Sequence, residues 1–386
     1  MNPLWKQCQL GDVVEFKRGY DLPKKKRVEG EYEIISSSGA SGTHNEFKVE
    51  GPGVVTGRYG TLGEVFYIKD NFWPLNTALY IKDFKGNRPR FISYFLSTLN
   101  LASLNAAGAV PGLNRNHLHM MDIHFPFDIS VQKGIEDVIQ SYDVLIENNN
   151  RRIAILEEMA QSLYREWFVK FRFPGYKQCQ MVDSSLGMIP EGWEVKKILD
   201  FGQVVTGKTP SKKKPEYYSS KDVPFLKTPD MHGSIFANDI EDGLSIVGAD
   251  SQIGKYIPKG SVCVACIGAK AGVAVLTSCT VQTNQQINSV LFNDKYNREY
   301  FYLFAAGIEP LIKQLGSSGA TMTNVSKGKF ENIELIMPKK EILEAFHSIT
   351  APIFDQTLNL QKRNSNLKTQ RDLILPKLTS GQIDLG

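Results

Sequence analysis

The pattern of apolar and polar positions along the chain occurs twice. "GPGVVTGRYGTLGEV" at 51–65 and "PKGSVCVACIGAKAGVAV" at 258–275 each predict an apolar strand followed by a hairpin punctuated by glycine. Each is followed by segments that predict a short helix and then a short strand ending in proline: 90–97 and 121–126 in the first half, 299–306 and 332–338 in the second. The same order of predicted elements in both halves indicates two similar lobes that contain strands and helices.

After each lobe, apolar residues recur in steps of four and three, which is the spacing of a coiled-coil seam. The predicted seam residues are Ile135, Ile139, Tyr142, Ile146, Ile153, Leu156 and Leu163 in the first stretch, and Phe346, Ile353, Leu360, Leu367 and Ile374 in the second. Asn149 interrupts the first series, and Pro352 and Pro376 predict kinks or ends of the second helix. One such helix is typical of an ordinary bundle, but two in the same register, each after a copy of the same lobe, favour pairing with each other.

The order lobe, helix, lobe, helix makes this pair antiparallel, because a first helix that leads to the second lobe requires a second helix that leads back. The predicted fold class is therefore α+β, with two similar lobes separated by two long helices that form an antiparallel coiled coil and a pseudo-twofold internal repeat. Helices of about 38 residues form a spacer roughly 55 Å long. Two lobes on such a spacer favour an extended partner, and DNA fits because successive half-sites on one face lie about 34 Å apart.

Composition is that of a soluble globular protein, with 42% hydrophobic residues, 22% charged residues and a net charge of +4. No apolar run reaches the length of a membrane helix and the N-terminus lacks a signal-peptide core, so we expect a cytoplasmic protein with no membrane partner. The five cysteines are scattered. Cys263 and Cys266 are three apart in a predicted strand and would face opposite sides, so buried cysteines are favoured over a metal site and no metal is predicted.

Two basic loops recur at an offset of 188 residues: "GYDLPKKK" at 19–26 and "GKTPSKKK" at 207–214. Lysines in such loops would contact DNA phosphates, which provides affinity without sequence information. The candidates are Lys24, Lys25, Lys26 and Arg27 in the first lobe, and Lys212, Lys213 and Lys214 in the second. A solvated charged loop is the alternative for each run.

Base contacts require side chains that reach the edges of a DNA groove. The candidates are Arg58 and Tyr59 in the first hairpin, Asn114, Arg115 and Asn116 in the late loop of the first lobe, and Lys270 and Asn324 at the corresponding places in the second lobe. For each of these residues a purely structural role stays equally open.

"GQVVTGKT" at 202–209 matches the phosphate-binding loop pattern of nucleotide-binding enzymes. Its context does not fit, because that loop opens directly into a helix and here Pro210 and "SKKKPEYY" follow. We find no motif for catalysis and predict no catalytic residue. A nucleotide-dependent enzyme acting through 202–209 and a protein-protein scaffold remain the alternatives to a DNA-binding protein.

Three stretches resemble the specificity (S) subunit of type I restriction-modification systems: "MAQSLYREWFVKFRFPGY" (159–176), "SSLGMIPEGWEVKKILDFGQVVTGKTPSKKKPEYY" (184–218) and "LKTQRDLILPKLTSGQIDL" (367–385). The resemblance implies two target-recognition domains, each of which reads one half of a split, asymmetric DNA site. It divides the chain into a first target-recognition domain (1–127), a central conserved helix (128–173), a linker (174–187), a second target-recognition domain (188–338) and a distal conserved helix (339–386).

The resemblance also implies a non-catalytic subunit with no cofactor of its own and with double-stranded DNA as its ligand. Its expected partners are two methyltransferase subunits, which bind S-adenosylmethionine and dock on the helices, and restriction subunits, which use ATP and Mg. Trp167 and Phe168 at the end of the first helix are either packing residues or partner contacts. The seam position of Trp167 favours packing, and Phe168 stays open.

Overall fold

The computed structural model describes residues 4–104, 112–231, 234–316 and 323–385. The chain forms two compact units: the first comprises Met1–Ile146 and Asn366–Gly386, and the second comprises Glu147–Ser365. In the described ranges, no helix combines the length and the apolar character needed to cross a membrane.

The first unit consists of β-sheets packed against helices. Its strands are β1 (Trp5–Gln9), β2 (Glu15–Arg18), β3 (Tyr32–Ser36), β4 (Gly39–His44), β5 (Gly53–Gly57), β6 (Val65–Ile68), β7 (Phe72–Pro74), β8 (Ala78–Asp83) and β9 (Asp122–Pro126). Its helices are α1 (Leu10–Val13), α2 (Pro89–Thr98), α3 (Arg115–His119) and the first half of α4 (Ile129–Tyr164). The strands form a sheet in the order β2-β8-β5-β6, a second in the order β4-β3-β7, and the pair β1-β9. Val54 and Leu79 of the first sheet pack with Phe91 and Phe95 of α2 and with Ile139 of α4.

The second unit contains the same sheets with additions. Its strands are β10 (Met181–Ser184), β11 (Gly187–Pro190), β12 (Glu194–Lys197), β13 (Gly202–Thr206), β14 (Val223–Leu226), β15 (Phe236–Ala237), β16 (Gly243–Leu244), β17 (Val262–Ala265), β18 (Ala274–Thr277), β19 (Gln282–Thr283), β20 (Ile287–Phe292) and β21 (Glu334–Met337). Its helices are α5 (Ile198–Phe201), α6 (Ile246–Asp250), α7 (Arg298–Ala306), α8 (Glu309–Gly316), α9 (Lys327–Glu331) and the first part of α10 (Lys340–Thr379). The sheet orders are β13-β20-β17-β18-β15, β16-β14-β19 and β12-β21, with β10-β11 as a separate hairpin.

The strand registers confirm the predicted internal repeat. In the largest sheet of the first unit, Tyr80 on β8 pairs with Lys17 on β2 and with Val55 on β5. In the largest sheet of the second unit, Ser289 on β20 pairs in the same way with Val205 on β13 and with Cys263 on β17. The parallel pairs β3-β7 and β14-β19 also correspond. The predicted α+β fold class is confirmed.

In the first unit, the beginning of α4 packs against the end of α10. Ile135 and Ile139 share a buried cluster with Leu375 and Leu378. Arg371 Nη1 donates to Asp143 Oδ1 at 2.7 Å. A Cβ at Gly134 would lie 3.3 Å from Leu385 Cδ1, beyond the C-terminal end of α10. Residues farther along α4 therefore contact residues earlier in α10, so the two helices are antiparallel.

In the second unit, the other halves of the same helices meet, also antiparallel. Asn149 Nδ2 donates to Asn364 Oδ1 at 2.8 Å, and Asn364 Nδ2 donates to Asn150 Oδ1 at 2.8 Å. Farther along α4, the ring of Trp167 lies 5.6 Å from that of Phe346. The residue that interrupts the apolar series therefore has a polar partner on the opposite helix.

All twelve predicted seam residues are buried or half-buried. The buried ones are Ile135, Ile139, Ile146, Ile153, Phe346 and Leu360, and the half-buried ones are Tyr142, Leu156, Leu163, Ile353, Leu367 and Ile374. Helix α10 continues through Pro352, where the sequence predicts a kink or an end, and stops shortly after Pro376. Phe346 and Phe354, on either side of Pro352, are fully buried, and their packing holds the helix across the hydrogen bond that proline cannot make.

Aromatic residues close the end of each long helix. Trp167 and Phe168 are both buried, in a π-helical turn that follows α4. The ring of Phe168 lies 4.7 Å from that of Tyr300 and 5.8 Å from that of Trp193. In the first unit, Trp5 Nε1 donates to the carbonyl of Thr379 at 2.8 Å. Phe168, which the sequence leaves open, is a packing residue in the second unit.

A backbone crossing at a glycine recurs in both units. The amide of Gly19 donates to the carbonyl of Ala78 at 3.1 Å, and that of Gly207 to the carbonyl of Ile287 at 3.1 Å. A Cβ at either glycine would lie 2.2 Å from a backbone oxygen, that of Leu75 or of Asn284. Glycine is therefore required by the close approach of two backbone segments, each leading into a basic loop.

We predict that Gly207→Ala lowers the free energy of unfolding by about 1–3 kcal/mol, because the methyl group would overlap backbone oxygens that have no room to move. Gly328→Ala is the matched control, since Gly328 lies in α9 with no atom within 4 Å of the added Cβ. The midpoint of urea unfolding measures both. Equal stabilities for the two variants would contradict the crossing geometry.

A carboxylate with a buried oxygen lies in the second unit. Glu157 on α4 is half-buried, and its Oε1 has no hydrogen-bond partner among the described residues. Burial raises the pKa of Glu157, which means that folding favours the neutral acid. The stability associated with this group is therefore present at low pH and lost as pH rises through the raised pKa.

We predict that Glu157→Gln melts at a higher temperature than the unmodified protein at about pH 8, and that the difference shrinks toward about pH 5. Thermal melts across this pH range test it. Glu158→Gln is the control, because hydrogen bonds from Arg165 and Ser162 lower the pKa of Glu158 and its removal should cost stability at pH 8. A pH-independent difference for Glu157→Gln would show that its burial carries no charge penalty.

Candidate nucleic-acid interface

The basic loop of each unit is tied to the loop that it crosses by an equivalent hydrogen bond. In the first unit, Asn76 Nδ2 donates to Asp21 Oδ1. In the second, Thr209 Oγ1 donates to Gln285 Oε1 at 2.8 Å. Asp21 and Thr209 differ by 188 positions, the offset of the basic loops. The crossing loop donates this hydrogen bond in the first unit, and the basic loop donates it in the second. The basic loop is therefore held at the same place in both units by different side chains.

The hairpin tip and the late loop of the first unit meet beside this tie. The amide of Leu113 donates to the carbonyl of Arg58 at 2.9 Å, and Tyr59 forms a β-bridge with Gly112. The amide of Arg58 donates to the carbonyl of Thr77 at 2.9 Å. These backbone bonds join three loops that are distant in sequence into one surface.

The second unit makes the corresponding contacts. The amide of Val325 donates to the carbonyl of Cys266 at 2.9 Å, and the amide of Cys266 donates to the carbonyl of Gln286 at 2.8 Å. Ile267 forms a β-bridge with Asn324. The loops that carry predicted DNA contacts are therefore brought together within each unit, and we call each group a loop cluster. The loop cluster of the first unit comprises 19–27, 58–64, 74–77 and 112–116. The loop cluster of the second unit comprises 207–214, 267–272, 283–286 and 323–326.

The late loop of each unit leads into a short capped helix. Asn114 Oδ1 accepts from the amide of Asn116 at 2.9 Å at the start of α3. Ser326 Oγ accepts from the amide of Lys329 at 3.3 Å at the start of α9. The side-chain oxygen of Asn114 therefore caps the N-terminus of α3, which is a structural role. Arg115 and Asn116 are exposed on the first turn of the helix.

The residues predicted to contact phosphates are exposed, except Arg27. Lys24, Lys25 and Lys26 form an exposed 3₁₀ turn, and Lys212 and Lys213 are exposed in a loop. Lys214 is exposed as well, and its hydrogen bond to the Tyr217 hydroxyl raises the pKa of its ammonium group. Arg27 is half-buried and donates from Nη1 to the carbonyl of Ser41 at 3.0 Å, so its guanidinium fastens the loop to β4.

Candidates for base contacts differ between the two clusters. The guanidinium of Arg58 stacks on the ring of Tyr59, 4.5 Å from its centroid, and Tyr59 is 39% exposed. In the second unit the corresponding tip carries Lys270, which is exposed, and faces Asn324, which is also exposed. An aromatic-stacked guanidinium and an aliphatic amine offer different donors to a groove.

Two residues of the crossing loops are missed by the sequence interpretation. Asn76 is half-buried and Gln285 is exposed, and each forms the side-chain hydrogen bond between the crossing loop and the basic loop of its cluster. Asparagine and glutamine amides form paired hydrogen bonds with adenine in the major groove. The sequence gives only a partial signal, because the alignment of "PLNTALY" with "QTNQQIN" places Asn76 opposite Asn284, one residue before Gln285. The strand register, in which Tyr80 and Ser289 take the same place, makes Asn76 and Gln285 equivalent.

The phosphate-binding loop pattern at 202–209 does not fold as one. Residues 202–206 form β13, and the chain from 207 to 214 is a loop with no helix. The amide of Lys208 donates to the carbonyl of Thr283 at 2.9 Å, so this backbone is occupied within the fold. A nucleotide site of that class needs a helix N-terminus directly after the loop, and residues 207–214 do not provide one. The geometry of this segment therefore does not support a nucleotide-dependent enzyme acting through 202–209.

The paired cysteines lie inside the second unit. Cys263 and Cys266 are buried, and burial raises their thiol pKa values to about 12 and about 11. Cys263 Sγ lies 3.2 Å from Ser289 Oγ. Across the described ranges, no group of three histidine, cysteine, aspartate or glutamate side chains is placed to hold a metal ion.

Comparison with known proteins agrees with this geometry. The family model described as "Type I restriction modification DNA specificity domain" matches residues 2–158 and 190–369, one match for each half of the repeat. The chain is similar to the specificity subunit of the type I restriction enzyme HindI of Haemophilus influenzae, with 33% identity over 334 residues and 72% of each chain covered. It is also similar to the MjaIX specificity subunit of Methanocaldococcus jannaschii, with 27% identity over 290 residues, covering 73% of this chain and 65% of that protein.

The fold is similar to the crystal structure of the type I restriction-modification S subunit from M. genitalium. The TM-score is 0.65 at 15% identity, and the match covers 100% of this chain and 98% of that one. At this identity the likeness concerns the fold. Because the family model spans both halves of the repeat and a curated relative is 33% identical, the chain belongs to the family of type I restriction-modification specificity subunits, whose function is recognition of a DNA sequence.

Proposed function

We propose that each unit reads one half of a bipartite, asymmetric DNA site through its own loop cluster. The observation that carries the proposal is the equivalent tie between basic loop and crossing loop in both units, with different exposed side chains around it. Equivalent scaffolds place the two clusters in the same way on a duplex. Different donors at their tips, Arg58 with Tyr59 in one and Lys270 in the other, select different bases.

In the proposed function the exposed lysines of both basic loops contact phosphates. Lys24, Lys25 and Lys26 and Lys212, Lys213 and Lys214 supply affinity and orientation. Arg58, Tyr59, Asn114, Arg115, Asn116, Lys270 and Asn324, together with Asn76 and Gln285, supply the candidates for base contacts. Arg27 acts on the loop more than on DNA, because its guanidinium is bonded to the carbonyl of Ser41.

The chain itself is proposed to be non-catalytic. It would position two methyltransferase subunits, which supply S-adenosylmethionine chemistry, and restriction subunits, which supply ATP- and Mg-dependent cleavage. The long helices, whose outer faces expose Val144, Leu145, Ile155 and Met159, are the proposed docking surface for the methyltransferases.

Methylome sequencing of a host that carries this gene with its methyltransferase partner tests the proposal. We expect a two-part asymmetric motif with methylated adenines on opposite strands, and loss of that motif when this gene is deleted. A palindromic motif that depends on this gene would contradict the assignment of two different half-sites to the two units.

We predict that replacing Lys212, Lys213 and Lys214 together by alanine weakens binding to all DNA sequences and leaves the preferred sequence unchanged. The slope of log affinity against log salt should fall by about 2–3, because each lost phosphate contact removes about 0.9. Fluorescence anisotropy of the assembled complex on specific and unrelated duplexes, from 50 to 200 mM salt, measures both quantities.

The control for this variant removes Lys177, Lys259 and Lys339, three exposed lysines of the same unit outside the loop cluster and outside the long helices. It has the same net charge and should keep nearly the original slope. A changed base preference in the Lys212–Lys214 variant would mean that these lysines contact bases. A flat salt response of the unmodified complex would favour a protein scaffold over a DNA reader.

A further inference from the structure

The two units differ at one edge of their largest sheet. In the second unit, β18 is covered on its outer side by β15, which runs parallel to it. The amide of Leu276 donates to the carbonyl of Ile235 at 2.7 Å, and Ser278 Oγ donates to the carbonyl of Ala237 at 3.0 Å. The chain itself thus supplies a short extended segment that completes this edge.

In the first unit, the corresponding edge strand is β6, the last strand of its sheet. The segment that covers β18 belongs to residues 227–261, whereas the corresponding connection in the first unit is only 37–52. Tyr67 takes the place of Leu276 in the shared register, so its amide faces outward. Within the described part of the chain, no strand pairs with this side of β6.

A groove lies beside this edge in both units. It is lined by β6, α2, α4 and α10 in the first unit, and by α4, α7 and residues 234–235 in the second. In the second unit, Ile235 and Ser234 occupy it and leave a cavity of about 140 Å³. In the first unit it is an open cavity of about 560 Å³. Tyr94 on α2 and Leu303 on α7 line equivalent places. The occupant in the second unit shows what shape the groove accepts, namely an extended polypeptide.

The open groove of the first unit has a distinctive charge arrangement. Arg371 is paired with both Asp143 and Asp372. The guanidinium of Arg90 stacks on the ring of Tyr67, 4.1 Å from its centroid, and is hydrogen-bonded to the hydroxyl of Tyr94, which donates to Asp143 Oδ2 at 2.5 Å. Among the described residues, Arg90 has no direct ion pair with a carboxylate. The groove therefore offers one half-buried cation next to the open strand edge, and a carboxylate on the occupant would complement it.

We propose that this groove binds an extended acidic segment of the methyltransferase partner, which pairs as an added strand with the outer edge of β6 and places a carboxylate on Arg90. The inference rests on the proposed function, which supplies that partner. Main-chain hydrogen bonds to an exposed strand edge are an established mode of peptide recognition. Asp143 and Arg371 in the wall of the groove belong to α4 and α10, so the groove is continuous with the proposed docking surface.

Arg90→Glu tests the charge part of the proposal. Its affinity for the methyltransferase subunit, measured by biolayer interferometry with the full chain, should fall about tenfold or more, because a complementary charge becomes a repulsive one. Arg90→Lys should lose less, since it keeps the charge. Lys6→Glu makes the same change of net charge at an exposed position of β1 and should bind as the unmodified chain does.

The identity of the occupant is tested by a photo-reactive benzoylphenylalanine at Ser97, which is exposed and lines the groove. In the assembled complex, mass spectrometry should find the crosslink on an extended acidic segment of the methyltransferase. A crosslink to DNA, to a second copy of this chain or to solvent alone would overturn the proposal. Ser97→Trp, which fills the groove without altering charge, should weaken assembly in the same way as Arg90→Glu.

Failure of this inference is distinguishable from failure of the proposed function. If the unmodified chain assembles with the methyltransferase and directs methylation, and Arg90→Glu and Ser97→Trp do the same with unchanged affinity, only the groove is wrongly assigned. If the unmodified chain directs no methylation with its partner, the proposed function itself fails.

Discussion

The close approach of two backbone segments at Gly19 and Gly207 is the constraint on which each loop cluster depends. At both places the backbone that leaves a sheet passes a second segment at a distance that excludes even a methyl group. The direction in which the basic loop leaves the sheet is therefore determined by packing of main chain on main chain. The atoms nearest to Gly19 all belong to backbone, and at Gly207 only the hydroxyl of Thr283 joins them, so the residues that follow each glycine can vary without disturbing the crossing.

This division between backbone contacts and side chains explains how one scaffold can carry two specificities. The hairpin tip, the crossing loop and the late loop are joined by amide-to-carbonyl bonds, such as those from Leu113 to Arg58 and from Val325 to Cys266. Such bonds are independent of side-chain identity. Exposed positions on the same loops can therefore change their hydrogen-bonding groups at little cost in stability, as the difference between Tyr59 and Lys270 illustrates.

The long helices add a second constraint, which concerns register. Asn149, Asn150 and Asn364 form a hydrogen-bonded group between the long helices in the second unit, beside a largely apolar seam. A polar group at a seam position costs stability, but a shifted pairing of the helices would leave the buried amide of Asn364 without its partners. The group therefore favours a single alignment of α4 against α10 in that unit, and a fixed alignment is what a docking surface for another subunit requires.

Local patterns were sufficient to predict the repeat, the two lobes and the short helices, predicted at 90–97 and 299–306 and found at 89–98 and 298–306. The order of lobes and helices along the chain was sufficient to predict the antiparallel pairing of the long helices. These features depend on the spacing of apolar residues along the chain, which the sequence displays directly. Helix α10 is the partial exception, because burial of Phe346 and Phe354 outweighs the local effect of Pro352.

Tertiary structure alone decided which loops meet and which side chains remain available. Asn76 and Gln285 become candidates only because strand order brings the crossing loop beside the basic loop. Arg27 gains a structural contact because β4 presents the carbonyl of Ser41 to its guanidinium. The covered edge of β18 and the open edge of β6 likewise depend on contacts between segments far apart in sequence. Sequence patterns indicate the secondary structure of a segment, whereas the segments that it packs against are determined by the packing of the whole fold. The binding surfaces of this protein are formed by segments that meet only in the folded chain.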